Sequence, residues 1–251
     1  MSNLGEPLVC WKKSRNPRIR LICFPYAGGG SFMYKDWAKY IPDDVELLAV
    51  DLRGRGGRFN ERLSADINTH INDILVNYGH LNELPLIVFG HSMGGLLGFE
   101  FSRAVKERLG HEILHFFPSA SRAPQLPRVM DVTYNLSDDD FLSKLGESDG
   151  LPREIFESSE LRDIFLPILR SDVRLCEVYC FEGATLLECP ISVIGGTMDQ
   201  GVLRHELETW REHTTKDTCL HLISAGHFYV DTHRLQVINI IMKQIGSTSI
   251  L

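Results

Sequence analysis

The stretch Leu86-Ile-Val-Phe-Gly-His-Ser-Met-Gly-Gly95 passes within a few residues from an apolar run to a serine flanked by glycines. Its first four residues predict a strand that is buried on both faces. The residues from Leu96 to Leu109 predict a helix that ends at Gly110. A serine in such a strand-to-helix turn can be held in a strained conformation with its hydroxyl above the sheet, as in a nucleophile elbow. The alternative is an ordinary turn, in which Ser92 caps the helix and the glycines ease the corner.

Strands and helical segments alternate along the rest of the chain. Further short apolar runs predict strands at residues 18–24, 45–50, 113–117, 190–194 and 219–223. Apolar residues recur at helical spacing at Ile67, Ile71, Ile74, Leu75 and Tyr78, and again at Leu235, Ile238, Ile241, Met242 and Ile245. This alternation predicts an α/β fold with a mainly parallel central sheet and helices on both faces. In such sheets ligands bind beyond the carboxyl ends of the strands, which is where Ser92 lies.

Composition limits the class of function. The 251 residues carry a formal net charge of −7 and no basic cluster offsets it, so we expect no nucleic-acid partner. The N-terminal residues hold charges and prolines where a signal peptide has an apolar core, and no apolar run approaches the roughly 20 residues of a membrane span. We therefore expect a cytoplasmic protein without a membrane partner. The six cysteines follow no framework spacing, so we expect them to be reduced residues of the core.

A serine nucleophile needs a base and an acid that orients the base, and in this architecture both follow the serine along the chain, acid first. Asp199 follows the fifth predicted strand and His227 follows the sixth. Taken singly, Asp199 is more simply the cap of a helix near Val202, and His227 a helix cap or a surface histidine. His221 is the nearest rival base, but it falls within a strand and should point to a face of the sheet. The order of Ser92, Asp199 and His227 at three strand ends predicts a catalytic triad.

Acyl transfer also needs hydrogen-bond donors for an oxyanion. One should be the backbone N–H of Met93, the residue after Ser92. The other should come from the glycine-rich loop 24–31 after the first predicted strand, where we assign Ala27. The same loop could suggest a phosphate cradle, but it lacks the ending of a P-loop, and Met33 takes the place of the third glycine of a dinucleotide fingerprint. We therefore expect no nucleotide cofactor.

Two residue pairs could suggest a metal site. Cys176 and Cys180 are four residues apart, as are His111 and His115. Neither pair has further ligands at metal-site spacing, and the two histidines fall on a predicted strand, where residues four apart are too distant to share an ion. We therefore expect neither a metal nor another cofactor belonging to the protein itself.

Five motifs between about Leu21 and Phe228 form a recognisable set. They are Phe24-Pro-Tyr-Ala-Gly-Gly-Gly30, Gly54-Arg-Gly-Gly-Arg58 with Glu61, Gly90-His-Ser-Met-Gly94, Gly226-His-Phe-Tyr229 and Glu160-Leu-Arg-Asp-Ile-Phe-Leu-Pro-Ile-Leu-Arg-Ser-Asp172. With them the chain resembles the stand-alone (type II) thioesterases of nonribosomal peptide and polyketide biosynthesis, which belong to the α/β-hydrolase superfamily. Arg53 stands where that family often has proline, and Ser171 where it often has alanine. These two departures bear only on the subfamily.

The resemblance implies a serine thioesterase that hydrolyses acyl groups from the phosphopantetheine arm of carrier domains of a synthase, by way of an acyl-serine. It also implies one α/β-hydrolase domain over residues 1–251 with a helical lid insertion at about 131–185. Within the lid, Ser137-Asp-Asp-Asp140 predicts a helix start, and Pro167 predicts a helix end or kink. Phe165 and Leu169 either line an acyl channel or pack on the core.

Carrier domains are generally acidic and this chain is net negative, so a docking surface would have to be a local basic patch. Arg53, Arg55 and Arg58, in the loop after the second predicted strand, are the candidates. The alternative is a solvated, flexible loop. Two other functions remain open at this point: a small-molecule carboxylesterase or acyl-CoA thioesterase with the same triad, and a non-catalytic α/β-hydrolase that binds a ligand or partner.

Overall fold

The computed structural model describes residues 5–76, 78–127, 132–146 and 158–247. The strands in these ranges are β1 Leu8–Lys12, β2 Ile19–Phe24, β3 Val45–Val50, β4 Leu86–His91, β5 His115–Ser119, β6 Ile191–Gly196 and β7 Thr218–Ile223. They form one sheet in the order β1-β3-β2-β4-β5-β6-β7. Every neighbouring pair is parallel except β1 with β3. The predicted α/β fold with a mainly parallel sheet is therefore confirmed.

The edge strand β1 is the strand that the sequence analysis missed. Its residues are half-buried or exposed, and it pairs antiparallel with β3 alone. By contrast β2, β3 and β4 are buried at every position. Leu8-Val-Cys-Trp11 is itself an apolar run, so apolar character alone does not distinguish this half-exposed edge strand from the buried ones.

The helices are α1 Ile67–Leu75, α2 Tyr78–Leu81, α3 Met93–Leu109, α4 Asp138–Gly146, α5 Ser159–Val178, α6 Arg204–Glu208, α7 Tyr229–Thr232 and α8 Arg234–Ser247. Helix α3 ends as predicted at Gly110, which takes the left-handed conformation with φ +66°, and it begins three residues earlier than predicted. Tyr78 does not extend the face of α1 but opens a separate short helix. On α8, Leu235 is exposed and Val237 is buried in its place.

The two faces of the sheet carry separate apolar layers. Val88 of β4 packs into a cluster with α1 and α3, whereas Ile87 and Phe89 point to the opposite face, where they meet α8 and the 3₁₀ helix 31–39. Because successive side chains of a strand alternate between faces, β4 is anchored on both sides. The end of β4, and with it Ser92, is fixed in the middle of the molecule.

The lid prediction covers residues 131–185, of which residue 131 and residues 147–157 lie outside the described part of the chain. Helix α4 begins as predicted, since Oγ of Ser137 accepts a hydrogen bond of 3.2 Å from the N–H of Asp140. Helix α5 continues through Pro167, so of the predicted end or kink, the end is wrong. Pro167 and Asp163 are both exposed, so water can bind the carbonyl that loses its helical donor.

The lid has a small apolar cluster of its own. Phe141 and Leu142 of α4 pack with Leu166 and Leu169 of α5, and Phe165 lies half-buried against them. Both helices thus bury one face against each other.

Two further expectations can be compared with the described residues. Cys23 and Cys189 are buried, but Cys10, Cys176, Cys180 and Cys219 are exposed, so the expectation that all six cysteines belong to the core is wrong. All six are free thiols. Among the helices of the described ranges, none combines the length and the apolar character needed to cross a membrane.

Candidate active site

Three loops at the carboxyl ends of parallel strands bring the predicted triad together. Ser92 follows β4, Asp199 follows β6 and His227 follows β7. Nε2 of His227 lies 3.0 Å from Oγ of Ser92, and Nδ1 lies 2.7 Å from Oδ2 of Asp199. Because a carboxylate only accepts hydrogen bonds, the imidazole carries its proton on Nδ1, and Nε2 is left to accept from the serine hydroxyl. This is the arrangement in which serine can lose its proton to histidine.

Ser92 has the strained backbone predicted for an elbow, with φ 54° and ψ −118°. Its own N–H donates to the carbonyl of Ser119 on the neighbouring strand at 2.7 Å, which holds the turn closed. A Cβ at Gly90 would overlap the backbone of Gly94, and one at Gly94 would overlap the carbonyl of Phe24. The two glycines are therefore required by close backbone approach, and Ser92 is not an ordinary helix cap, since its side chain makes no capping bond.

The sequence offered two roles for Asp199, the acid of the triad or the cap of a helix near Val202, and its two carboxylate oxygens have different partners. Oδ2 binds His227, while Oδ1 accepts from the backbone N–H groups of Gly201 at 2.8 Å and Val202 at 3.2 Å. Helix α6 begins only at Arg204, so Oδ1 stabilises the turn before the helix rather than capping it. The backbone donors fix the carboxylate plane, and the fixed plane orients the imidazole of His227.

The loop of His227 is held by a second histidine, which the sequence analysis did not single out. Nε2 of His91 donates to the carbonyl of His227 at 3.0 Å, and Nδ1 accepts from Oγ of Ser119 at 2.9 Å. Burial, together with the neighbouring His227, lowers the pKa of His91 well below its usual value. His91 is therefore a neutral support for the backbone of His227.

The rival base lies elsewhere, as predicted. His221 is in the middle of β7, where it pairs with Ile194 of β6. Its Nε2 lies 3.4 Å from the side-chain amide of Gln244 on α8. Its side chain thus faces α8 and not the loops at the sheet edge.

The loop assigned to the oxyanion hole begins with a tight turn over residues 26–29. The N–H of Gly29 donates to the carbonyl of Tyr26 at 2.9 Å, and Gly28 has φ +78°. A hydrogen bond between the first and fourth residues with a positive φ at the third defines a type II turn, which requires glycine at that third position. Ala27 is the second residue of the turn. Met93 is the first residue of α3, where helix N–H groups have no acceptor within the helix.

Aromatic rings connect this turn to the loop of the base. Tyr26 packs edge-on against Phe228, with 5.2 Å between ring centroids, and Phe228 packs in the same way against His227 at 5.0 Å. The hydroxyl of Tyr26 donates to Asp231 at 3.0 Å. Burial is the main cause that raises the pKa of the Tyr26 hydroxyl and of the Asp231 carboxyl. The two loops are thus tied to each other on one side of Ser92.

The glycine-rich loop after β3 is not the free basic patch that the sequence suggested, nor is it a solvated loop. Arg55 and Arg58 are buried and Arg53 is half-buried. Arg53 and Arg58 both donate to Asp73 of α1, at 2.7 and 2.6 Å, and Arg55 pairs with Asp172 of α5. Burial raises the pKa of Asp73, but the hydrogen bonds from the two arginines outweigh it and lower that pKa to about 2. All three guanidinium groups are committed to internal ion pairs.

The lid helix α5 reaches the loop over the site. Leu169 is buried, and its Cδ2 lies 2.5 Å from where a Cβ on Gly28 would stand. Phe165 packs within the lid cluster. Of the two predicted lid residues, Leu169 therefore contacts loop 24–31, hereafter the oxyanion loop, and Phe165 supports the lid.

The two residue pairs considered for a metal do not form a site. His115 lies in β5 with Nε2 2.9 Å from Oγ of Ser192, while His111 lies before the strand, not on it. Cys176 is inside α5 and Cys180 lies beyond its end. Within the described ranges, no three His, Cys, Asp or Glu side chains are placed to hold a metal ion.

One relative is named as a dehydrogenase, which raises the question of whether the glycine-rich loop could bind a dinucleotide. The linear gramicidin dehydrogenase LgrE of Brevibacillus parabrevis is 33% identical over 96% of this chain and 92% of its own. A dehydrogenase binds a redox cofactor, and dinucleotide phosphates bind to free amides of a glycine-rich loop. Here the N–H of Gly28 donates to Asp172 and the N–H of Ser31 donates to Asp51, both at 2.7 Å. These amides are taken by carboxylates, which would repel a phosphate.

Two solved structures match nearly the whole chain. ClbQ, from the colibactin NRPS/PKS pathway, is 32% identical with a TM-score of 0.87, over 92% of this chain and 98% of that chain. The type II thioesterase BorB, from the borrelidin biosynthetic cluster, is 30% identical with a TM-score of 0.87, over 97% of this chain and 99% of that chain. The thioesterase domain family matches residues 19–245. The sequence-based resemblance and the α/β-hydrolase fold are thereby confirmed: this chain belongs to the thioesterase domain family.

Proposed function

We propose that this thioesterase removes acyl groups from the phosphopantetheine arm of carrier domains of a nonribosomal peptide or polyketide synthase, with Ser92 as nucleophile. The observation that carries the proposal is the chain of hydrogen bonds from Asp199 through His227 to Ser92 at the ends of three strands. The relatives ClbQ, from an NRPS/PKS pathway, and BorB, a type II thioesterase from a biosynthetic cluster, support the substrate class.

The first stage forms an acyl-serine. Nε2 of His227 takes the proton of Ser92 as Oγ attacks the thioester carbonyl, and Asp199 stabilises the imidazolium that results. The amides of Ala27 and Met93 hold the negative charge that develops on the carbonyl oxygen. The arm's sulfur leaves as a thiolate, and because a thiol has a pKa of about 8.5 this departure needs little help from an acid. Water then attacks the acyl-serine, with His227 again as base.

The chemistry needs no cofactor of the protein itself, because the phosphopantetheine arrives with the substrate. The proposal also places the reaction in the cytoplasm, a reducing compartment in which the exposed thiols of Cys10, Cys176, Cys180 and Cys219 would persist. Leu169 and Phe165, which pack above the Gly28 turn and within the lid cluster, would line or support the acyl channel.

Replacing the nucleophile and the base tests the chemistry. We expect Ser92→Ala to remain folded and to lose turnover of an acyl thioester, and His227→Ala to lose about as much, since triad members act as a unit. His221→Ala is the matched control and should keep wild-type turnover. Substantial hydrolysis by the purified Ser92→Ala protein, or an inactive His221→Ala beside an active His227→Ala, would overturn these assignments.

Comparing carriers tests the substrate class. We expect a higher kcat/KM for an acyl group on a holo carrier protein than for the same acyl group on free pantetheine or coenzyme A, because binding energy from the protein surface helps to align the thioester. The preference should shrink at high ionic strength if charges contribute to the contact. Equal kcat/KM on all three would reduce the function to a general thioesterase or esterase.

A further inference from the structure

One side chain of the lid reaches the backbone of the oxyanion loop. Asp172 of α5 is fully buried, and its Oδ2 accepts a hydrogen bond of 2.7 Å from the N–H of Gly28. The two residues are 144 positions apart in the sequence. The lid and the loop that carries Ala27 are therefore joined by a charge-assisted hydrogen bond, one of the stronger kinds in proteins.

Arg55 completes the connection. Its Nη1 and Nη2 donate to the two oxygens of Asp172 at 2.6 and 2.7 Å, and Nη1 also donates to the carbonyl of Gly29 at 3.0 Å. The guanidinium thus binds the lid carboxylate and the loop together. Because both charges are buried, each depends on the other, and the geometry of the pair is rigid.

The position of this bond within the turn gives it a specific effect. The N–H of Gly28 belongs to the central peptide of the type II turn, and type I and type II turns differ by a flip of that peptide. Because glycine tolerates both positive and negative φ, Gly28 at the third position allows either form. A flip would replace the N–H facing Asp172 by the carbonyl of Ala27, and the carboxylate would repel it. Asp172 therefore selects the type II form.

We infer that Asp172 is a positioning residue for the reaction, which fixes the oxyanion loop in its working conformation from the lid. The inference rests on the proposed function of Ala27 as an oxyanion donor. A donor helps catalysis to the extent that it is already in place when the charge develops. Losing Asp172 should thus lower kcat and leave KM nearly unchanged, with a loss of about 10- to 100-fold.

A double variant separates positioning from stability. Asp172→Ala alone would strand the charge of Arg55, so the test replaces both, as Arg55→Met with Asp172→Leu, because apolar replacements of a buried ion pair are often tolerated. The matched control is Arg20→Met with Glu46→Leu, a buried ion pair between β2 and β3 that is not part of the site. We expect both proteins to fold, and only the first to lose kcat.

An alkyl boronic acid supplies a readout that a merely structural role would not move. Oγ of Ser92 bonds to boron, His227 takes the serine proton, and the resulting tetrahedral boronate places a negatively charged oxygen where the oxyanion forms. We expect its inhibition constant to rise in the Arg55/Asp172 double variant by about the factor by which kcat falls. The Arg55→Met/Asp172→Asn variant, which leaves no unpaired charge and whose amide oxygen can still accept from Gly28, should stay within a few-fold of wild type.

Wild-type kcat and wild-type boronate inhibition in a folded Arg55→Met/Asp172→Leu variant would overturn the inference. If that protein does not fold, Arg55→Met/Asp172→Asn decides alone, because a large loss of kcat in it would show that retaining an acceptor for Gly28 is not what matters. If the wild-type protein hydrolyses no thioester, the proposed function fails, while boronate inhibition still tests the positioning of the loop.

Discussion

Replacing Asp199 by asparagine should disable the site through the wrong tautomer of His227 and not through loss of shape. The carboxylate uses both oxygens, with Oδ2 on His227 and Oδ1 on the N–H groups of Gly201 and Val202. Asparagine has one oxygen and one NH₂ group, so it can serve only one side as an acceptor.

The structure decides which side keeps the oxygen. Turning the oxygen toward His227 would leave two backbone donors facing an NH₂ group, the buried N–H of Val202 and the N–H of the exposed Gly201. An unsatisfied buried donor costs roughly 1–3 kcal/mol, and an exposed one costs less. Turning the oxygen toward Gly201 and Val202 keeps both bonds, and the NH₂ group then donates to Nδ1 of His227. The imidazole proton must move to Nε2, which faces Ser92 and can no longer accept the serine proton.

The magnitude follows from the cost of the opposite orientation. The two lost bonds together amount to roughly 2–4 kcal/mol, which at about 1.4 kcal/mol per factor of ten corresponds to a loss in turnover of about 30- to 1,000-fold. The same change in another serine hydrolase triad costs more, about 10⁴. The assay is thiol release from an acyl thioester, together with thermal unfolding.

Asp199→Ala is the companion variant, because it removes both sets of bonds. Asp199→Asn should unfold close to the wild-type temperature, whereas Asp199→Ala should unfold earlier, since the donors of Gly201 and Val202 lose their acceptor. Wild-type turnover in Asp199→Asn would refute the reasoning and leave Asp199 with only its structural role in the turn.

Two further predictions concern stability. Gly90→Ala should lower the free energy of unfolding in urea by at least about 2 kcal/mol, because its Cβ would overlap the backbone of Gly94. The control Gly79→Ala faces open space and should be neutral or slightly stabilising, so equal stabilities of the two variants would contradict the close approach at Gly90. Burial lowers the pKa of His115 from 6.5 to about 4, so from pH 6.5 down to 4 the unfolded chain takes up a proton that the folded protein excludes, and stability falls with pH by up to about 1.4 kcal/mol per unit. His115→Gln should make that slope shallower across this window, and an unchanged slope would contradict the shift.

The triad could be predicted because each member follows a strand that is a clear apolar run, and the order of elements places all three ends at one edge. The roles of Arg53, Arg55 and Arg58 could not be predicted in this way. Arg53 and Asp73 are 20 residues apart, and Arg55 and Asp172 are 117 apart. A local pattern shows a charge but not the distant partner that buries it.

The strand β1 and the support from His91 also escaped prediction. The run Leu8-Val-Cys-Trp11 is apolar enough to indicate a strand, but its place at the edge of the sheet shows only in its antiparallel pairing with β3. The bond from His91 to the carbonyl of His227 joins positions 136 residues apart. Nothing in the sequence around His91 connects it to the loop of the base.

The nucleophile and its base follow strands that differ in burial and in their position within the sheet. Ser92 extends from β4, the fully buried strand at the centre of the sheet, whereas His227 extends from β7, an edge strand of the described sheet that pairs only with β6 and is mostly exposed or half-buried. Edges of this kind open locally before a protein unfolds as a whole. We therefore expect the protein to lose turnover on heating before its core unfolds, which activity and circular dichroism recorded over the same temperature range would show.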